Sequence, residues 1–200
     1  MITTIILDIG QVLANFRWKE YLVECGYDQE TIEKVSNATV LSELWGEEDR
    51  GKINTQELVE LCCKKEPSVA KEITKLFSDI TLLVREYEYS KTFIQNLKAN
   101  GYKVYLLSNY GETNFKYARE HFDFIKYVDG GVISYEVKFI KPEPEIYEAL
   151  INKYAINPKE AVFLDDSKAN LEGARHFGFE TIHVEEFSKA LDELRGLGVR

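Results

Sequence analysis

Apolar runs of strand length alternate with amphipathic helical stretches over most of this chain. Residues 3–8, TTIILD, are β-branched and apolar, which predicts a central strand buried on both faces. After Tyr89 the pattern predicts helices and strands in turn. The predicted strands cover 102–107, 127–133, 161–164 and 180–184, and the predicted helices cover 90–99, 112–121, 143–154 and 168–176. Because parallel strands need crossover connections, the alternation predicts an α/β fold with a doubly wound parallel sheet.

The segment from about Trp18 to Ser78 has a different pattern, with helical periodicity and no strand-like run. Turn signals near Gly26, between Gly46 and Gly51 and at Glu66-Pro67-Ser68 divide it into several helices. A chain of 200 residues can hold one core with an insertion of this size. We therefore predict an α/β core formed by 1–14 and 86–200, and a small inserted α-helical cap domain at 15–85.

Composition narrows the range of partners. The net charge of −9, from 34 acidic and 25 basic residues, argues against nucleic-acid binding. The three cysteines lack the spacing of a zinc site or a redox pair, which favours free thiols in a reducing compartment. The pattern also contains no signal-peptide-like start and no apolar run of membrane-spanning length. We expect a cytoplasmic protein, without a membrane partner, that is a monomer or a weak dimer.

Polar residues follow the apolar runs at the predicted carboxyl ends of the strands, where open parallel sheets bind ligands. They are Asp8, the pair Ser108-Asn109, the pair Asp165-Asp166, and Lys141 in the loop KPEPEIY. Each alone has an ordinary explanation as a helix cap, a turn residue or a solvated amine. Together they predict one edge with clustered acids, which need a counter-charge that a divalent cation can supply.

Four segments, in this order, resemble the motifs of the haloacid dehalogenase superfamily of hydrolases and phosphatases. They are IILDIGQVL, YLLSN, KPEPEIY and VFLDDSKANLEGA, and the resemblance covers nearly the whole chain. A helical cap inserted after the first motif is similar to one subclass of that family. The resemblance implies a Rossmann-like core and a Mg²⁺-dependent phosphatase that forms an aspartyl-phosphate intermediate from a small phosphorylated metabolite.

The resemblance also implies a role for each motif residue. By analogy, the catalytic residues are Asp8, the nucleophile, and Lys141; the phosphate ligands are Ser108, Asn109 and Lys141; and the metal ligands are Asp8, the carbonyl of Gly10, Asp165 and Asp166. Asp165 binds the metal directly or through water, or it holds Lys141 in place, and the sequence leaves both alternatives open.

Gly10 departs from the family pattern, because most of its phosphatases carry a second Asp there, which acts as acid and base. Such a group is typically worth ~10²–10⁴-fold in rate. We favour a substrate with a good leaving group, above all a sugar 1-phosphate. A glycine at this position also occurs in the subgroup that resembles α-glucose-1-phosphate phosphatases. The alternatives are a 2-haloacid dehalogenase-like hydrolase and a catalytically silent phosphate- or metal-binding module.

Substrate specificity is expected in the cap. Arg17 and Trp18 lie just beyond the first motif and are predicted to contact the substrate, with packing in the cap core as the alternative for Trp18. Trp45 is interpreted as part of the cap core, and Arg50 as a surface ion-pair former.

Overall fold

A five-stranded parallel sheet lies at the centre of the computed structural model, which describes residues 1–200 except for the side chain of residue 80. Its strands are β1 (Thr4–Leu7), β4 (Lys103–Ser108), β5 (Gly130–Ile133), β6 (Ala161–Asp165) and β7 (Glu180–His183), in the order β5-β4-β1-β6-β7. Ile5 lies between Val104 and Val162 in the parallel register. The polar residues after β1, β4 and β6 therefore meet at one edge, as the sequence predicts.

Helices cover both faces of this sheet because its strands are apolar on both sides. Ile5 and Leu7 pack on one face, against α6 (Ser90–Ala99), α7 (Glu112–His121) and α11 (Phe187–Gly196). Ile6 packs on the other face, against α9 (Pro144–Tyr154) and α10 (Lys168–Arg175). A one-turn helix, α8 (Ser134–Val137), follows β5. The predicted doubly wound α/β fold is confirmed.

The inserted segment is helical. It contains α1 (Trp18–Glu24), α2 (Gln29–Ala38), α3 (Glu43–Asp49), α4 (Thr55–Lys65) and α5 (Ala70–Leu76). A capping box starts α4, in which the Asn54 side chain accepts from the Glu57 N–H and the Glu57 side chain accepts from the Asn54 N–H. Leu22, Val35 and Ile73 are fully buried between these helices. The predicted helical character of the insertion follows from these apolar faces.

A short antiparallel ribbon joins the two parts of the chain. It consists of β2 (Ala14–Phe16) and β3 (Val84–Glu86), with Phe16 opposite Val84. The sequence did not predict these strands, because three-residue runs carry too little pattern. The ribbon lies across the predicted borders at 14/15 and 85/86, and those borders stay a prediction.

Four 3₁₀ helices complete the fold, at Pro67–Val69, Ile80–Leu82, Asp123–Tyr127 and Pro158–Glu160. The strand predicted over 127–133 is shorter in the structure, because Asp123–Tyr127 forms one of these helices. All three cysteines in the described chain are free thiols, as expected. None of the helices in the described residues is both long enough and apolar enough to cross a membrane.

Candidate active site

Four of the predicted residues form one buried hydrogen-bonded cluster at the carboxyl edge of the sheet. The Lys141 ammonium lies 2.9 Å from Asp8 Oδ1 and 2.6 Å from Asp165 Oδ2. The Ser108 hydroxyl donates to Asp8 Oδ1 at 2.6 Å. Each of these residues is less than a tenth exposed. The Lys141 ammonium therefore lies between two carboxylates that come from neighbouring strands.

Burial and charge oppose each other in this cluster. Burial raises the pKa of Asp8 from 3.8 to about 6, although Lys141 counteracts this rise. Burial alone would lower the pKa of Lys141, but the carboxylates of Asp165 and Asp8 outweigh it and raise that pKa. Burial and the neighbouring Asp165 also raise the pKa of Asp166. The site is thus short of positive charge when its carboxylates are ionised.

Asn109 contacts the lysine loop through both atoms of its amide. Its Nδ2 donates to the Lys141 carbonyl oxygen at 3.0 Å, and its Oδ1 accepts from the Lys141 N–H at 2.7 Å. This pair of hydrogen bonds holds the backbone from which the Lys141 side chain extends. Direct phosphate binding by Asn109 stays a prediction, for which its second amide hydrogen is available.

Asp165 is bound on both of its oxygens. Oδ1 accepts from the Ser167 N–H at 2.7 Å and from the Asn170 amide at 3.0 Å, and Oδ2 accepts from Lys141. This arrangement favours the alternative in which Asp165 holds Lys141 in place. Sequence reasoning missed Asn170, although it lies in the quoted VFLDDSKANLEGA motif, within the first turn of α10.

Three carboxylates in this region can converge on a cation. One oxygen each from Asp8, Asp165 and Asp166 lies within 4.8 Å of the others. Carboxylate and carbonyl oxygens are the ligands that Mg²⁺ prefers, usually with waters completing its octahedron. Because Asp165 is already bound on both oxygens while Asp166 is exposed, Asp8 and Asp166 are the better placed pair. The donor set fits a hard divalent cation.

A cavity of about 80 Å³ lies between the cap and this edge of the core. Its walls combine core and cap residues: Gly10, Ala14, Phe16, Trp45, Asp49, Val84, Asn109, Tyr110 and Asn114. Trp45 packs against Phe16 and Phe77, with ring centroids 5.4 and 6.0 Å away. The interpretation of Trp45 as a core residue was therefore incomplete, because its ring both packs in the cap and lines the cavity.

The structure does not bring Arg17 and Trp18 to this cavity. The Arg17 guanidinium donates to the Leu82 carbonyl at 2.9 Å and pairs with Glu24, and its side chain is buried there. Trp18 lies beside α2 in a different depression, which Ile32 also lines. Neither residue lines the cavity in this structure, and their contact with the substrate stays a prediction.

The end of α3 is fixed to the core by several contacts. Arg50 forms a two-pronged ion pair with Glu143, and the Lys138 ammonium donates to the Gly51 carbonyl at 2.9 Å. The predicted ion pair of Arg50 is present, but it joins cap to core, with the Arg50 side chain only 17% exposed. Gly111 allows a close approach here, since an added Cβ would overlap the Glu48 carboxylate.

Most of the chain matches one known protein family. A sequence model described as haloacid dehalogenase-like hydrolase matches residues 2–178. The chain belongs to the haloacid dehalogenase-like hydrolase family. The resemblance drawn from the four motifs is confirmed, and so is the assignment of the chain to the hydrolases.

Individual members of the family differ in how much of the chain they share. A D-ribitol-5-phosphate phosphatase from Bacteroides thetaiotaomicron is 28% identical over 214 residues, which cover 97% of each protein. A solved family enzyme from the same organism has a TM-score of 0.70 at 27% identity, covering 94% of this chain and 98% of that one, and contains magnesium and inorganic phosphate. Bifunctional epoxide hydrolase 2 from Mus musculus is 44% identical over 75 residues, but these are 38% of this chain and only 12% of that protein.

Proposed function

We propose that this chain is a Mg²⁺-dependent phosphomonoesterase that hydrolyses a small phosphorylated metabolite through an aspartyl-phosphate on Asp8. The leading substrate class is a sugar 1-phosphate. The observation that carries the proposal is the buried Asp8 carboxylate, whose Oδ1 contacts both the Ser108 hydroxyl and the Lys141 ammonium. The phosphatase among the relatives and the solved enzyme with magnesium and phosphate support it.

Asp8 is oriented for nucleophilic attack. Ser108 and Lys141 fix Oδ1, while Oδ2 lies on the side of Gly10, 3.9 Å from the position that a Cβ would take there. One carboxylate oxygen forms a bond to phosphorus as the bond from phosphorus to the leaving oxygen breaks. Lys141 neutralises charge that develops on the transferring phosphoryl group, and the Ser108 hydroxyl can turn to donate to its oxygens.

Asp8, Asp166 and the Gly10 carbonyl would hold Mg²⁺, with Asp165 holding Lys141. When bound, the cation neutralises charge where the nucleophile and the anionic substrate meet. Burial and the charge of Asp165 raise the pKa of Asp8, and a bound cation would counteract both. The bound cation and Lys141 would then balance the carboxylates of Asp8 and Asp166, with no positively charged side chain needed from the cap.

The preference for a sugar 1-phosphate rests on Gly10 and on the cavity. No side chain follows Asp8 at the position where a proton donor would stand, so substrates with a leaving group that needs little protonation should react fastest. The Trp45 and Phe16 rings offer apolar faces of the kind that pack against sugars. The cavity of about 80 Å³ is below the roughly 300 Å³ at which ordinary ligand pockets begin. We infer that the cap shifts to admit a substrate.

The test is phosphate release from sugar 1-phosphates, sugar 6-phosphates, an acyl phosphate and an aryl phosphate, with Mg²⁺ or with EDTA. We expect metal-dependent turnover that is fastest on anomeric and acyl phosphates and is lost in Asp8→Asn. Equal rates on sugar 1- and 6-phosphates would refute the substrate class. Folded protein that binds Mg²⁺ without turning over any substrate would be a silent module, and chloride release from a 2-haloacid without metal would indicate a dehalogenase.

A further inference from the structure

The cap places one carboxyl group in the wall of the active-site cavity. Asp49, the last residue of α3, lines this cavity together with Gly10 and Asn109, and it is only 9% exposed. Among the lining residues that the structure describes, only Asp49 and Tyr110 have side chains that can donate a proton by ionising. Burial and the charges of Asp8 and Asp49 raise the pKa of Tyr110, which makes it a poor proton donor.

The backbone around Asp49 is fixed independently of its side chain. The Ser134 hydroxyl donates to the Asp49 carbonyl oxygen at 2.6 Å and accepts from the Tyr110 N–H at 2.8 Å. The neighbouring Arg50 is paired with Glu143 of the core. These contacts hold the end of α3 against the cavity, and a substitution of the Asp49 carboxyl would leave them in place.

The surroundings of Asp49 favour its protonated form. Burial raises its pKa well above 3.8, and the negative charges of Glu48 and Asp8 raise it further. Lys141 and the N–H of Gly111 offset only part of this rise. A carboxyl that keeps its proton at higher pH than an ordinary Asp is suited to donate it during catalysis.

The direction of the reaction also favours a donor on the cap. In phosphoryl transfer the attacking and leaving oxygens lie roughly in line on opposite sides of phosphorus. Asp8 attacks from the edge of the core sheet, so the leaving oxygen faces away from that edge. The cap residues Asp49 and Trp45 line the cavity together with the core residues Gly10 and Asn109.

We propose that Asp49 is the catalytic acid and base of this site, supplying from the cap the group that is missing at Gly10. The inference rests on the proposed phosphatase function and replaces its leaving-group argument from Gly10. With Asp49 as the acid, alkyl phosphates also react, and the preference for sugar 1-phosphates then rests on the apolar rings of the cavity. As Asp8 bonds to phosphorus, the electron pair of the breaking bond goes to the leaving oxygen, which takes the proton of Asp49 and departs as an alcohol. Water then attacks the aspartyl-phosphate and gives a proton to the Asp49 carboxylate, which releases phosphate and restores both carboxyl groups.

The test compares leaving groups in an otherwise unchanged protein. Asp49→Asn should lower kcat/KM on an alkyl phosphate such as glycerol 1-phosphate by about 10²–10⁴-fold, the usual contribution of a general acid. On 4-nitrophenyl phosphate, whose leaving group needs no proton, the loss should stay below about tenfold. Asp49→Ser repeats the comparison with a smaller side chain, so the test does not depend on the folding of one variant.

Glu48→Gln is the matched control. Glu48 is a buried carboxyl beside Asp49 on α3, but it accepts from the Thr55 hydroxyl at 3.0 Å and does not line the active-site cavity as the structure describes it. Its substitution removes one charge that raises the pKa of Asp49, so it should change the ratio of the two rates far less than Asp49→Asn does. A purely structural role of Asp49 would lower both rates by the same factor in Asp49→Asn.

A second experiment places an acid at position 10, where most phosphatases of the family have one. An added Cβ at Gly10 meets only Asp8 Oδ2, at 3.9 Å, an ordinary van der Waals contact, so the backbone leaves room for the first atom of the side chain in Gly10→Asp. In the Asp49→Asn background, Gly10→Asp should raise kcat/KM on the alkyl phosphate by at least about tenfold. An equal loss on both substrates in Asp49→Asn, or no rescue by Gly10→Asp, overturns the role of Asp49. Wild-type protein that releases phosphate from neither substrate overturns the proposed function instead.

Discussion

Replacing Asp8 by Asn should stabilise the metal-free protein at neutral pH. The folded pKa of Asp8 is about 6, whereas the ordinary value is 3.8. Each pKa unit corresponds to 1.36 kcal/mol, so keeping Asp8 ionised in the fold costs roughly 3 kcal/mol at pH 7.5. Asn resembles the protonated carboxyl in shape and charge and avoids this cost.

The pH dependence follows from the direction of the shift. A carboxyl with a raised folded pKa contributes stability that is fully present below its unfolded pKa and is lost as pH rises through the folded value. The free energy of unfolding of Asp8→Asn should therefore exceed that of wild type by about 1 kcal/mol at pH 4.5 and about 3 kcal/mol at pH 7.5. The window of change lies between pH 3.8 and slightly above 6.

Urea unfolding in EDTA at the two pH values, followed by circular dichroism, measures this difference. Asp192→Asn is the control, because Asp192 is exposed and pairs only with the exposed Arg195 among the residues described, so a change within about 0.5 kcal/mol is expected. Mg²⁺ at 100 times its dissociation constant should then stabilise wild type by about 2.7 kcal/mol and Asp8→Asn much less. Asp8→Asn that is less stable than wild type at pH 7.5, or equal Mg²⁺ effects, would refute the reasoning.

Three further predictions concern the surroundings of the site. Gly111→Ala should lower the free energy of unfolding by about 1–3 kcal/mol, because the added methyl overlaps the buried Glu48 carboxylate. Gly196→Ala is the control, because its added methyl meets no other atom and should not destabilise the protein. Urea unfolding measures both. Asp166→Asn should weaken Mg²⁺ binding in calorimetry more than Asp165→Asn, which should instead lower stability because it disturbs a buried ion pair. Arg17→Ala should leave KM unchanged while lowering the melting temperature, because its guanidinium binds the Leu82 carbonyl. A raised KM would show that Arg17 contacts the substrate.

The central sheet could be predicted because its strands are buried on both faces and therefore stand out as continuous apolar runs. The clustering of Asp8, Ser108 and Asp165 followed, since the carboxyl ends of neighbouring parallel strands share an edge. The β2 and β3 ribbon could not be predicted, because its pairing joins short segments on either side of the whole cap.

Within the site, tertiary contacts decide which side chains line the cavity, and these contacts have no local sequence pattern. Arg17 is close to Asp8 in sequence, but its guanidinium is bound to the Leu82 carbonyl inside the cap. Asp49 is far from Asp8 in sequence and reaches the cavity only because the end of α3 docks on the core through Arg50 and Ser134. No local pattern encodes either of these contacts.

The ribbon at the base of the cap also bears on how the chain reaches its fold. Residue 4 must meet residue 103 before β1 and β4 can pair, and the whole cap lies between them. The entropy lost in closing a loop grows with its length, and long-range pairings slow folding. Once residues 16 and 84 have paired, the cap is a closed loop and only a short stretch remains before β4. The ribbon thus divides one long conformational search into two shorter ones, which allows a strand pairing to span an insertion of this size.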